Sequence, residues 1–597
     1  MHTKHTQGNI LIVALIMIVV VSGLVVVAVN VTNSSARFTD RSRDYVATQA
    51  AAEGAVDHAF AIWKRRFSSL NGVMDSTTAT ANLSAPTFTD FAYVPAKNGN
   101  EAGTLKIDAL DEYGAPVATP IRVVLDLKKY PGWRGNSYSY SARAKMQLVG
   151  VTGGPEVGVK RQFQYSEVPL FQSMFFFEDT LEFYKPAQMI ISGLVHTNNR
   201  LYASYADGSG LTFQDDVSYV TNYSSTDAPP FADLWSPPGN MNPPTFNDGI
   251  ANQLHQVPRL EPLGSEPASV INTTDTNPNN DGFHELIEPP NTSFVDPPEI
   301  AQRRFYNKAG LRIKINGATV TVTGQGGAAL PVAQQTAIAA AVNSRATIFD
   351  SREGKNVDVA TLDISVFRTA LTANGISFNN VLYIHDATPI TGSDPEPKTI
   401  RLKNGGILPS AGLTIACENA VYIQGDYNTG TTTDVNAVPA NNSGNPTNTD
   451  SPTVTGYERK PAAVIGDAVM LLSNSWTDAN SSLALSSRTA SNTTYNTAIV
   501  SGFMPSGYQP TSGSQYGYSG GGNNFPRFLE NWGSKYCTYF GSMVELYQSK
   551  SFTARWDTGV IYRPPTRCWN FDTNYRSSPP PGTLDATTWT RGTWAKY

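Results

Sequence analysis

The chain is short of cysteine, charge and histidine, and each shortage removes a class of function. Three cysteines in 597 residues, with no CxxC and no Cys/His zinc spacing, exclude a disulfide framework and a structural zinc module. Charged residues make up only 16% of the chain, against roughly 25% in ordinary soluble domains. The net charge of −5 argues against nucleic acid as a partner, because such a binder shows a basic stripe. The seven histidines include His2 and His5 at the extreme N-terminus, and none lies in a triad context. Gly517-Tyr518-Ser519-Gly520-Gly521 therefore reads as a glycine-rich loop rather than the surroundings of a nucleophilic serine. Gly324-Gln325-Gly326-Gly327 lacks the strand-and-helix context of a phosphate loop. His196 and His385, at the ends of strand-like runs, read as structural. Long apolar runs are absent too, with one exception.

That exception is Ile10–Val29, which carries no charged residue. As a helix it spans about 30 Å, the thickness of a bilayer's hydrocarbon core. It exceeds the roughly 7–15 apolar residues of a signal peptide, and its polar sequel Asn30–Ala36 has only a weak small-x-small look. Lys4 precedes it with no acid upstream, while Arg37, Arg41 and Arg43 behind it are mixed with Asp40 and Asp44. The balance predicts an N-terminus inside and the bulk of the chain outside. Helical pattern continues beyond the lipid. No proline and only Gly54 interrupt Ala36–Phe67, and Val56, Phe60, Trp63 and Phe67 fall on one stripe. A single helix over Ile10–Phe67 is expected, its first half in lipid and its second half packed on a domain.

The leader MHTKHTQG, the apolar helix directly after Gly8 and the amphipathic continuation together resemble a type IV prepilin. The resemblance implies cleavage by a prepilin peptidase between Gly8 and Asn9; a cleaved signal peptide and an ordinary signal anchor are the alternatives. Ala47–Ala55, reading ATQAAAEGA, is similar to a segment of PilX-type minor pilins. Major pilins carry Glu at the fifth mature position, where this chain has Val13. Absence of that Glu is a trait of the large tip pseudopilin of type II secretion systems and of some PilX-like proteins. Further segments resemble large PilX-like pilus-assembly proteins, among them SGLVHTNNRL, DGFHELIEPP, PAAVIGDAVMLLSNSW and the tail from NNFPRFLENW to YRPPTRCWNFD. They carry architecture, not chemistry.

The expected fold class is α+β, mainly β. Residues 1–8 form a leader, 9–68 the membrane and stalk helix, and 69–169 a pilin-like antiparallel sheet made of four strand-like runs. Residues 170–226 and 391–597 read as short strands closed by Gly or Asn. Such stacked short strands suggest a β-solenoid or an irregular sandwich, without a fixed repeat period. Residues 227–299 form a Pro/Asn-rich excursion, and 300–390 a small α/β insertion with helices over Val332–Ala341 and Val359–Thr372. Asp426–Arg459 reads as a loop.

Candidate ligands are few. Asn277, Asn279, Asp281 and Glu288 stand at positions 1, 3, 5 and 12 of a calcium-loop spacing, with Gly282 at 6. Asn at position 1, Pro278 inside the loop and Pro289-Pro290 behind it favour a plain turn. Cys417 reads as a buried thiol, whereas Cys537 and Cys568 could pair in an oxidising compartment. No cofactor other than calcium is indicated. Two readings of function remain open. One is a minor pilin or pseudopilin, at a filament's tip or initiating position, whose partners are inner-membrane lipid, other pilins and the prepilin peptidase, with the head in the periplasm or outside the cell. The other is a surface adhesin on the same stalk. A hydrolase would need converging carboxylates, and the sequence shows none.

Overall fold

The computed structural model describes the chain except residues 1–6, 70–72, 82, 98–100, 126–127, 152, 226–240, 393, 432–452, 508–516 and 557–558, and it omits the side chains of residues 7–9 and 66–69. It divides into two compact units. Residues 1–123, 138–165 and 589–597 form the first, and residues 124–137 and 166–588 the second.

The first unit is built on one helix, Gln7–Ser69. Its second half buries Val56, Phe60 and Trp63 of the expected stripe, with Ala51, Ala52, Ala55 and Ala59 beside them; the side chain of Phe67 lies outside the described residues. The stripe lies on an antiparallel sheet whose inward positions alternate. Tyr140, Ala142, Ala144 and Met146 point in from Asn136–Leu148, and Ile107 and Ala109 from Lys106–Leu110. Alanines on both partners let helix and sheet backbones approach, and the aromatic end of the stripe closes over the gap. Trp63 packs 4.7 Å from Tyr140, 4.6 Å from Phe163 and 4.8 Å from Trp589, centroid to centroid. Trp589 belongs to the last strand, Asp585–Lys596, which adds to the sheet beside Glu156–Pro169. Its alternating TTWTRGTW pattern is a strand signal in sequence, but its partner lies more than four hundred residues upstream.

The second unit is a three-sided stack of parallel strands. Successive coils place one strand on each side: Phe175–Phe177, Leu181–Tyr184 and Met189–Ile191, then Val195–Thr197, Arg200–Ala206 and Leu211–Phe213. Like strands pair in parallel from coil to coil. The same order recurs late in the chain with Ala498–Ser501, Arg527–Phe528 and Tyr536–Gly541. Coil corners are tight. A Cβ on Gly541 would stand 2.0 Å from the carbonyl oxygen of Thr497, one coil below.

The stack is not climbed in chain order. Its longest side runs from Leu254–Gln256 through Val217–Tyr219, Val195–Thr197 and Phe175–Phe177 to Met543–Glu545. It then continues down through Ala498–Ser501, Ala462–Gly466, Leu413–Ala416 and Val381–Asp386 to Leu311–Asn316. The chain enters in the middle at Phe175, rises to Gln256, crosses to the far end and climbs back to meet its own start. Residues 257–310 make that crossing along the outside of this side. Leu260 accepts from Asn198, His284 contacts Asp467, and Ile287 accepts from the Tyr383 hydroxyl. Strands covered on both faces read as unbroken apolar runs, and Ala462–Gly466 and Val469–Leu472 are buried at every position.

This geometry realises the solenoid expectation and redraws the internal boundaries. Residues 170–226, 257–390 and the later strands belong to one body rather than separate segments. Residues 300–390 are not an insertion: Leu311–Asn316, Lys355–Asp363 and Val381–Asp386 are strands of the stack itself. The helix expected over Val359–Thr372 is a strand to Asp363 followed by the helix Ile364–Ala373. Asp363 sets that boundary by accepting the N–H groups of Ser365 and Val366 at 3.0 and 3.1 Å. The helix Val332–Ala339 lies where it is expected. Parts of the Pro/Asn-rich excursion (227–240) and of the Asp426–Arg459 loop (432–452) fall outside the described residues.

Candidate membrane helix and buried polar sites

The first half of the long helix is apolar on every side. Each large apolar side chain from Ile10 to Val31 is at least half exposed, Val13 at 57% among them. The helix is long and apolar enough to cross a membrane, with none of its most apolar window buried against the protein. Leaving a Val, Leu or Ile in water rather than burying it forgoes about 1.5–3 kcal/mol per side chain, so this surface calls for lipid or other helices. Just beyond the stretch two hydroxyls bond back to the helix: Thr32 Oγ1 donates to the Ala28 carbonyl and Thr39 Oγ1 to that of Ser35. Gly8 and Asn9 lie in the first helical turn, while the rest of the leader, up to Thr6, lies outside the described residues.

The residues of the calcium spacing are turned to other tasks. Asn277 caps the turn Pro278–Asn280 by accepting the Asn279 N–H at 3.1 Å and donates to the Val295 carbonyl at 2.8 Å. Asn279 clamps Asn291, donating to its carbonyl and accepting its N–H. Asp281 is exposed, and Glu288 points to His284 and Lys550. Among the described residues no three His, Cys, Asp or Glu side chains are gathered as a metal set requires.

Glu288 belongs to a polar knot that the sequence did not announce. His284 Nε2 meets Asp467 Oδ1 at 2.8 Å, and its Nδ1 meets Glu288. Asp467 also accepts from Ser549 Oγ at 2.7 Å and from the N–H groups of Lys550 and Ser551. Burial opposes protonation of His284, but hydrogen bonds to the two carboxylates outweigh it and raise its pKa. For Glu288 burial is likewise overcome, by His284 and Lys550, and its pKa falls to about 2. Both ring nitrogens of His284 are engaged by carboxylates, which makes it a clamp and not a base. Arg304, fully buried, plays a similar part, reaching Glu285 at 3.0 Å and Asp296 at 2.8 Å.

His196 is buried between Ser218 and Asn198, and burial depresses its pKa to about 4. Ser519 bonds to Ser506 Oγ and the Gly521 N–H. The suggested Cys537–Cys568 bridge is not formed. The two residues lie on adjacent parallel strands, but Cys537 is level with Arg567 and Cys568 with Thr538. Neighbouring positions on a strand face opposite ways, so the thiols point to opposite sides of the sheet.

No family model matches the chain, and no curated protein matches it. Among solved structures it is similar to the competence-associated pilin ComZ from Thermus thermophilus, at 8% identity over 93% of this chain and 98% of that one, with a TM-score of 0.26. A TM-score this low fixes neither topology nor role.

Proposed function

We propose that this chain is a non-enzymatic structural or assembly subunit of a type IV pilus or type II secretion-like filament, a minor subunit at a tip or initiating position. The observation that carries the reading is the two-part helix Gln7–Ser69, apolar and uncovered in its first half and packed on an antiparallel sheet in its second. Before assembly the first half sits in the inner membrane with the head in the periplasm. After a prepilin peptidase cuts between Gly8 and Asn9, the same surface packs with the helices of other pilins. Val13 supplies no carboxylate to a neighbour's amine, which suits a subunit with no predecessor. N-terminal sequencing of the protein from membranes tests the proposal: a chain beginning at methylated Asn9 supports it, and a start at Met1 or near residues 30–37 sinks it.

A second reading, a surface-displayed binding module on the same stalk, is favoured by an aromatic cleft on the solenoid.

A further inference from the structure

The cleft opens beside Gly559 and Val560, which are exposed, and encloses about 310 Å³, at the small end of ligand pockets, ~300–1,000 Å³. Three rings form one wall. Tyr184 and Trp556 each meet Tyr518 edge to face, with centroids 5.9 and 6.0 Å apart. Tyr562 stands on the lining as well, its hydroxyl held by the Asn524 side chain.

The floor is polar and buried. Arg567, 3% exposed, donates from Nη2 to the Asn523 carbonyl at 2.9 Å, yet its Nε has no hydrogen-bond partner among the described residues. Asn523, 6% exposed, likewise has no partner for its side-chain oxygen there. A buried donor or acceptor left unmade is destabilising, so a donor and an acceptor on one cleft floor favour a ligand that pairs with both. Lys185 adds a second cation, 5.3 Å from the Tyr184 ring centre, and among the described residues no Asp or Glu lines the cleft.

We propose that this cleft binds a saccharide unit carrying a carboxylate. Aromatic faces stack on the C–H face of a pyranose, the Asn523 oxygen accepts from a ring hydroxyl, and Arg567 and Lys185 meet the carboxylate. A wholly apolar occupant would leave the floor unsatisfied. A long polyanion would find two cations, Lys185 and Arg567, among the described residues lining the cleft, on a chain of net charge −5. The inference rests on the binding-module reading and is independent of filament assembly.

Saturation-transfer NMR on the full chain in detergent, with digalacturonate, N-acetylneuraminic acid and lactose as probes, tests it. At least one acidic sugar binds at millimolar concentration, and more tightly than lactose. Trp556→Ala weakens that binding about tenfold or more, the equivalent of losing one good aromatic contact. Lys185→Gln weakens the acidic sugar several-fold and leaves lactose unchanged. Neither acidic sugar binding, or binding that Trp556→Ala does not alter, overturns the inference. Lactose binding as tightly as both acidic sugars overturns the carboxylate while leaving a binding module. A chain that starts at Asn9 but binds no acidic sugar sinks this inference and spares the filament role.

Discussion

Glu545 Oε2 accepts the backbone N–H groups of both Glu178 and Asp179 at 3.0 Å, across 367 and 366 positions of the chain. Glu545 and Phe177 are also register partners where the last strand of the longest side meets the first. This seam turns two stretches of solenoid into one stack. Glutamine keeps a carbonyl oxygen for the same two donors, whereas alanine leaves Glu178 N–H only the Glu545 backbone carbonyl, at 3.0 Å, and takes this acceptor from the half-buried Asp179 N–H. Glu545→Gln is expected to stay within about 1 kcal/mol of the parent, and Glu545→Ala to lose about 1–3 kcal/mol. Urea denaturation of the two variants separates these outcomes, and equal losses would show that the seam is held by packing alone.

Glu530 gives a pH dependence of definite sign. It is buried and accepts from Ser473 N–H and Oγ at 2.7 and 2.6 Å; burial outweighs those bonds and lifts its pKa to about 7. A carboxyl raised in the folded state contributes fully below its unfolded pKa of about 4.3, and that stability is lost as pH rises through the folded value. The wild-type protein should therefore lose on the order of 3 kcal/mol from this group between pH 4.5 and about 7. Glu530→Gln keeps an acceptor and does not titrate. Melting curves across that range should fall less steeply for the variant, and identical slopes would show that Glu530 is charged in the fold.

Much of this architecture can be read from the chain, and what cannot has a physical cause. The long helix is announced by its apolar run and by the Val56–Phe60–Trp63 spacing, because a helix is a local object. The strands around Ala462 and Val469 are visible as apolar runs, but their sides and order are not. Parallel pairing joins positions set by the crossing of residues 257–310, and no local pattern records that Phe177 meets Glu545. The calcium spacing at Asn277–Glu288 is ambiguous for the complementary reason. A ligand pattern specifies residue types, while a hydrogen-bonded turn needs the same Asn and Asp side chains. The cleft around Tyr518 draws on residues far apart in sequence, and only its aromatic richness was visible.

Trp63 couples the helix to the last strand. It is fully buried between Tyr140, Phe163 and Trp589. Replacing it by alanine should destabilise the first unit by about 3–5 kcal/mol, the usual cost of deleting a buried aromatic. Truncation after Thr588 removes Trp589 and most of the edge strand together and should cost at least as much. Limited proteolysis read by mass spectrometry would show faster cuts within residues 73–123 in both variants. Protection equal to the parent's would mean that the C-terminal strand is dispensable.

The His284–Asp467 contact ties the crossing segment to the stack and fixes how acid acts on it. For Asp467 burial is outweighed by the bonds from His284, Ser549 and Lys550, so its pKa is lowered, as is that of Glu288. Groups depressed in the fold contribute above their unfolded pKa, near 4, and that stability is lost as pH falls through their folded values. His284 is raised, so its contribution is present below about 6.5 and lost as pH climbs through its folded value. The knot is therefore strongest between about pH 4.5 and 6.5. Asp467→Ala leaves the buried imidazolium Glu288 alone and takes the acceptor from Ser549 and from the Lys550 and Ser551 N–H groups, and should cost on the order of 3–5 kcal/mol in that window, with the difference from the parent narrowing toward pH 2. Calcium should leave the melting temperature of both proteins unchanged, since Asn277, Asn279 and Glu288 are already bonded within the chain. A calcium-dependent rise in the parent would show that the corner at Asp281 opens to a cation.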